Sequence, residues 1–124
     1  MRILLVDDDP HFAGAIKELL TREGHEVEIA WDGSQAITAA GRSRPEVVVL
    51  DFKMPGFNGA VTGRMLRSFS PGAHIIGVSG LPDIGDTSWA DAFLPKDEVL
   101  EKLPGAIAGL QATGSATEAP EQPS

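Results

Sequence analysis

Acidic side chains follow two apolar runs of the sequence, and a lysine follows a third. Asp7 and Asp8 come directly after a run near the start, Asp51 after a run near the middle, and Lys96 after a run in the last third. Short apolar runs of this kind predict strands buried in a parallel sheet, and the mostly β-branched run at 47–50 predicts one buried on both faces. Ligands of such sheets bind at the carboxyl ends of the strands, so we expect the three carboxylates to meet there.

Three carboxylates in one crevice repel one another and need a hard cation beside them. Oxygen ligands with open positions favour Mg²⁺, which keeps waters and accepts a phosphate as a further ligand. Two simpler interpretations stay open at this point. Asp51 could simply be a turn residue at the end of a strand. The acidic residues that begin at Asp7 could lie at a helix N-terminus, where the helix dipole stabilises negative charge. One Asp would serve that second purpose, so a run of three favours a site.

The length and composition of the chain exclude several classes of function. The chain has 124 residues, which is enough for one domain with its own core, and it contains no cysteine. Its net charge of −8 argues against direct binding of nucleic acid by this domain alone, because binding to the phosphate backbone requires a basic surface. No apolar run approaches the roughly 18 residues of a membrane helix, and the N-terminus lacks a signal-peptide layout. We therefore expect a cytoplasmic protein with no membrane or direct nucleic-acid partner.

The elements that must position these residues alternate between strand and helix. We predict strands over residues 3–6, 26–30, 47–50, 73–79 and 92–94. We predict helices over residues 10–23, 34–41 and 59–68, and a last helix that begins near Asp97 and is kinked or restarted at Pro104. Asp9 should cap the first helix and Gly24 should end it. The pattern indicates a doubly wound α/β domain over residues 1–111, followed by a disordered tail over residues 112–124.

Together these features resemble the receiver domain of two-component response regulators. The resemblance covers about residues 1–110 and rests on four motifs, each at the end of a predicted strand: LLVDDDP at 4–10, VVLDFKMPGFNG at 48–59, IGVSG at 76–80 and FLPK at 93–96. It implies a five-stranded parallel sheet in the flavodoxin-like order 2-1-3-4-5. The segment between the fourth and fifth strands is shorter than in most relatives and contains Pro and Gly, so we expect a shortened or irregular fourth helix.

The resemblance assigns a role to each residue of the acidic crevice. It implies that Asp51 is the phosphoacceptor and that Mg²⁺ is the cofactor. Asp8 would ligate the ion directly, Asp7 would act mainly through a bound water, and the backbone carbonyl of Lys53 would complete the protein ligands.

Three further positions match the phosphoryl-binding and switching residues of the family. Ser79 and Lys96 would bind phosphoryl oxygens, with the lysine offsetting the charge that builds up there. Phe93 matches the aromatic that turns inward in the switch, although a plain core aromatic would fit its strand equally well. Trp89 lies in the shortened segment, where we expect packing in place of the missing helix rather than an exposed partner anchor.

By this resemblance the protein is a signalling phosphoacceptor and not an enzyme in the ordinary sense. It would take its phosphoryl group from a histidine kinase or a phosphotransfer protein and pass the signal to a downstream protein, as a single-domain response regulator. A homodimer is left open. The alternative is a pseudo-receiver that binds partners without phosphorylation. A dehalogenase-type phosphatase would need an acid where Lys53 stands, and a dinucleotide enzyme would need a Gly-rich turn after the first strand.

Overall fold

The fold centres on a five-stranded parallel sheet in a computed structural model that describes residues 1–51, 59–80 and 88–118. The spatial order of the strands is β2-β1-β3-β4-β5, as the sequence predicted. The strands are β1 (Arg2–Val6), β2 (Glu26–Ala30), β3 (Val47–Asp51), β4 (His74–Ser79) and β5 (Ala92–Pro95). The helices are α1 (Pro10–Arg22), α2 (Gly33–Ser43), α3 (Gly59–Phe69) and α4 (Val99–Glu118), with a short 3₁₀ turn at Lys96–Glu98 before α4.

Two apolar layers cover the sheet because successive side chains of a strand point to opposite faces. On one face Leu4, Val6, Val48 and Leu50 pack with residues of α2 and α3. On the other face the alternate strand residues pack with α1 and α4. All five residues of β3 are buried, as expected of a central parallel strand with helices on both sides.

Local signals set the ends of the first two helices. The Asp9 side chain accepts hydrogen bonds from the backbone N–H groups of His11 and Phe12, so Asp9 is the N-cap of α1 as predicted. Gly24 has a φ of 94° just after that helix, which confirms the left-handed turn expected there. Asp32 caps α2 in the same way by accepting from the N–H of Gln35.

The last helix differs from the sequence prediction in two respects. It is one helix of 20 residues that runs through Pro104, so of the two predicted alternatives, a kink or a restart at that residue, the restart is wrong. Proline removes the hydrogen bond to the carbonyl of Leu100, and Leu100 is exposed, so water can satisfy that carbonyl. The helix also continues to Glu118, past residue 112, where the disordered tail was predicted to begin. No proline interrupts this stretch. Residues 119–124 lie outside the described residues.

Two other predictions fall on parts of the chain that the structure leaves undescribed. The shortened fourth helix was expected between β4 and β5, and most of that segment, residues 81–87, is undescribed; Lys53 lies within the undescribed residues 52–58. Within the described ranges, no helix combines the length and the apolar character needed to cross a bilayer.

Candidate functional site

The acidic residues meet because β1 and β3 are neighbours with matched register. Val6 pairs with Leu50, so the next residue on each strand, Asp7 and Asp51, stands at the same edge of the sheet. The backbone N–H of Asp7 donates to the carbonyl of Ala30, which extends the β1–β2 ladder by one bond and fixes the start of the following loop. The sheet therefore positions both carboxylates through its own hydrogen bonds.

Asp7, Asp8 and Asp51 form a compact cluster that we call the acidic edge. One carboxylate oxygen from each lies within 4.8 Å of the others. Asp7 and Asp51 are buried, with 1% and 5% of their surface exposed, whereas Asp8 is exposed. Sequence reasoning predicted this convergence, and the structure brings all three residues together.

The electrostatics of the acidic edge are unfavourable without a cation. Burial, together with the charges of Asp51 and Asp8, raises the pKa of Asp7 to about 6, although the N–H of Asp9 and the ammonium of Lys96 act in the opposite direction. The N–H of Asp9 donates to Asp7 Oδ1 at 2.9 Å. A buried carboxylate that is hard to ionise beside two like charges is a group that a bound cation would stabilise.

Lys96 supplies a positive charge from the end of the edge strand β5. It follows β5, and its Nζ lies 3.4 Å from Asp51 Oδ2. Burial lowers the pKa of this ammonium, but the charges of Asp51 and Asp7 raise it by more, so the pKa of Lys96 lies above its usual value. One ammonium among three carboxylates leaves the cluster with excess negative charge.

The donor set fits Mg²⁺. Three carboxylate oxygens within reach of one another are hard ligands of the kind this ion prefers, and exposed Asp8 leaves an open side for water and a phosphate oxygen. The backbone carbonyl of Lys53, the fourth ligand expected from the resemblance, lies outside the described residues.

Ser79 lies on the strand next to the acceptor. Asp51 pairs with Val78 across β3 and β4, so Ser79 stands one residue further toward the same edge. Its side chain is buried, with 6% of the residue exposed. On the other side it pairs with Pro95, the residue before Lys96. The strand order therefore places Ser79 between the strand of Asp51 and the strand that leads to Lys96.

Phe93 and Trp89 pack against two glycines, and we call these four residues the aromatic stack. The rings of Phe93 and Trp89 meet edge to face, with centroids 5.2 Å apart. A Cβ on Gly77 would lie 2.5 Å from the Phe93 ring, and one on Gly63 would lie 2.2 Å from the Trp89 ring, so glycine is needed at both positions. Trp89 is only 2% exposed, which confirms that it packs into the core rather than standing out as an anchor.

A polar clamp holds the chain just before β5. Arg67, on α3, donates to the carbonyl of Trp89 at 3.1 Å and to Asp91 Oδ2 at 3.0 Å. Asp91 Oδ2 also accepts from the N–H of Ile75 at 2.7 Å. Burial raises the pKa of Asp91, but the N–H of Ile75 and the guanidinium of Arg67 lower it by more. Sequence reasoning missed this clamp because its members are far apart in the chain and carry no motif.

Sequence reasoning also missed Phe12. Lys96 Nζ lies 4.8 Å from the centroid of its ring. The available signal was its position in the first turn of a helix capped by Asp9, which puts it at the edge of the sheet where the acidic residues stand.

Comparisons with known proteins agree with this geometry. The family model described as the response regulator receiver domain matches residues 3–108. The response regulator MprA of Mycobacterium sp. (strain KMS) is 33% identical over 99% of this chain, and the DNA-binding response regulator MtrA of Mycolicibacterium smegmatis is 40% identical over 77%. The matches cover 56% and 43% of those two proteins, so the chain spans about half the length of the curated relatives it matches.

Solved structures show the same architecture. The response regulator TrrA from Thermotoga maritima, in complex with Mg²⁺-BeF, has a TM-score of 0.81 at 28% identity, over 88% of this chain and 97% of that one. A Francisella response regulator receiver domain has a TM-score of 0.83 at 25% identity, over 91% of this chain and 98% of that one. The predicted fold class is thus confirmed by both the sheet order and these neighbours.

Proposed function

The chain belongs to the response regulator receiver family, and from that premise we propose that it receives a phosphoryl group on Asp51 in a Mg²⁺-dependent reaction. The observation that carries the proposal is the meeting of three carboxylates with one ammonium, with Lys96 Nζ 3.4 Å from Asp51 Oδ2. This is a nucleophile beside a cation, next to a set of metal ligands, at the edge of the sheet where ligands bind.

In the proposed reaction a carboxylate oxygen of Asp51 forms a bond to phosphorus while the bond from phosphorus to the donor breaks. With a phosphohistidine donor the broken bond is P–N and the electron pair returns to the imidazole, whereas with acetyl phosphate it is P–O and acetate leaves. Lys96 offsets the negative charge on the phosphoryl oxygens, and the Ser79 hydroxyl binds one of them. The proton of Lys96 stays on its nitrogen throughout.

The metal ligands we propose are Asp8, Asp51, the carbonyl of Lys53 and, mainly through a bound water, Asp7. Mg²⁺ supplies positive charge that screens the acidic edge from the incoming phosphoryl oxygens. The raised pKa of Asp7 supports this assignment, because a carboxylate destabilised by burial and like charges gains most from a cation.

We further propose that the phosphoryl donor is a histidine kinase or a phosphotransfer protein in the cytoplasm, and that an unidentified downstream protein reads the phosphorylated state. The chain would then act as a signalling phosphoacceptor and not as an enzyme with a separate substrate. Family membership supports the donor class. The strand pairing supports a switch role for Phe93, because Phe93 pairs with Gly77, two residues before Ser79 on the adjoining strand.

The experiment is phosphorylation with acetyl phosphate and Mg²⁺, read by intact mass. We expect one phosphoryl group on the parent protein, none on Asp51→Asn, and none on either when EDTA removes the metal. The Asp51→Asn variant keeps the side-chain shape and is the matched control. A parent protein that is folded, binds Mg²⁺ and gains no phosphoryl group would overturn the proposal and favour a phosphorylation-independent interaction module.

A further inference from the structure

We propose that Phe12 is a positioning residue for Lys96: its aromatic face holds the ammonium beside Asp51 without neutralising the charge. The inference rests on the proposed phosphoryl transfer to Asp51 and names a residue that acts through Lys96 on the rate of that step.

The Lys96 ammonium lies near both an aromatic ring and a carboxylate. Lys96 Nζ lies 4.8 Å from the centroid of the Phe12 ring, within the range of about 6 Å in which a cation is attracted to an aromatic face. The same nitrogen lies 3.4 Å from Asp51 Oδ2, which is longer than the roughly 2.7 to 2.9 Å of a strong charge-assisted hydrogen bond. Asp51 alone therefore holds the ammonium only loosely, and the ring restrains it from a second direction.

Phe12 itself is held in place. Asp9 caps α1 by accepting hydrogen bonds from the N–H of His11 at 3.0 Å and from that of Phe12 at 3.3 Å. The N–H of Asp9 in turn donates to Asp7. The Phe12 ring is partly buried and packs against the apolar layer under α1. The cap that organises the acidic edge thus also fixes the residue that contacts Lys96.

An aromatic ring suits the chemistry of Lys96 better than a charged partner would. An ammonium has three N–H donors and carries the charge that must offset the phosphoryl oxygens as the bond from phosphorus to the donor breaks. A carboxylate at position 12 would take some of those donors and cancel the charge. An aromatic face attracts the cation through its quadrupole and leaves the charge available to the phosphoryl group.

The test compares phosphorylation rates with acetyl phosphate at saturating Mg²⁺. We expect Phe12→Leu, which keeps an apolar side chain but removes the ring, to slow phosphoryl transfer by about 3- to 10-fold. Phe12→Tyr keeps the aromatic face and should restore the parental rate. Mg²⁺ affinity should be the same in all three proteins, because the Phe12 side chain acts on Lys96 and supplies no metal ligand. Phe69→Leu makes the same change on an exposed phenylalanine of α3 and should leave the rate unchanged.

A second arm separates positioning from packing. If Phe12 acts through the ammonium, Phe12→Leu should have no further effect on the rate once Lys96→Ala has removed that group. Equal slowing in both backgrounds would show a packing effect and overturn the inference. Equal rates for the parent and Phe12→Leu would overturn it as well. In both of those results the parent is phosphorylated, so the proposed function stands. A parent that gains no phosphoryl group overturns both.

Discussion

The two halves of the sheet carry two different kinds of side-chain cluster. The half formed by β1 and β3 carries the acidic edge, where like charges converge and the pKa of Asp7 is raised to about 6. The half formed by β4 and β5 carries the aromatic stack, in which Trp89 is 2% exposed and the rings of Trp89 and Phe93 meet edge to face. One half concentrates electrostatic repulsion and the other concentrates apolar contact.

The difference teaches where stability and function are located. A cluster of buried like charges costs free energy in the absence of a cation, and proteins tolerate such violations mainly at functional sites. The aromatic stack contributes in the opposite direction, because large rings bury more apolar surface than any other side chains. We therefore expect substitutions in the aromatic stack to destabilise the fold, and neutralisation of the acidic edge to stabilise it while abolishing metal binding.

The largest expected effect is that of Trp89→Ala. Truncation leaves a cavity between α3 and β5 beside Phe93, and we expect it to lower the free energy of unfolding by about 3 to 5 kcal/mol. Urea denaturation followed by circular dichroism measures this loss. Trp31, the other tryptophan, is 42% exposed, so Trp31→Ala is the matched control and should change stability far less. Equal losses in the two variants would contradict the contrast between the halves.

Sequence and structure agree best where one strong local signal decides the outcome. The apolar run at 47–50, the Asp9 cap and the glycine after α1 each admit few alternatives, and all three were predicted. The end of α4 was not, because small and polar residues such as those after 112 permit both helix and disorder. Composition alone could not decide between them.

The second prediction concerns the close contact inside the aromatic stack. Gly77→Ala places a Cβ within 2.5 Å of the Phe93 ring, so the ring must shift, and we expect a loss of about 1 to 3 kcal/mol in the free energy of unfolding. Adding Phe93→Leu, which shortens the facing side chain, should recover part of that loss. Gly14→Ala is the control, because nothing lies within 4 Å of its added Cβ. That variant should be neutral or slightly stabilising.

The candidate site was predictable in its charges and not in its apolar contacts. Asp7, Asp51 and Lys96 were identified because carboxyl ends of parallel strands meet at one edge, which follows from topology alone. The contact between Phe12 and Lys96 depends on side-chain directions that cross from α1 to the end of β5. No spacing in the sequence encodes such a contact, and the same holds for the link between Arg67 and Asp91.

The smallest expected effect has the opposite sign. Without metal, Asp7→Asn should raise the free energy of unfolding at pH 7 by about 1 to 2 kcal/mol, because it removes a charge that is destabilised first by burial and then by the charges of Asp51 and Asp8. Asparagine can still accept the hydrogen bond from Asp9. Saturating Mg²⁺ should reverse the ranking, since the parent then gains more from the ion than the variant does.

The free energy of unfolding of the metal-free protein should depend on pH in a way that tests the effect of Asp7→Asn. The pKa of Asp7 is about 6 in the folded protein and near 3.8 when unfolded, so the folded state binds more protons between those values. The contribution of Asp7 to the free energy of unfolding therefore falls as the pH rises from about 4 to about 6, and stays low above that. The parent and Asp7→Asn should have equal stability near pH 4 and diverge across this interval. A difference that is constant from pH 4 to pH 7 would show that the buried charge of Asp7 does not destabilise the metal-free protein, and would contradict the contrast between the two halves of the sheet.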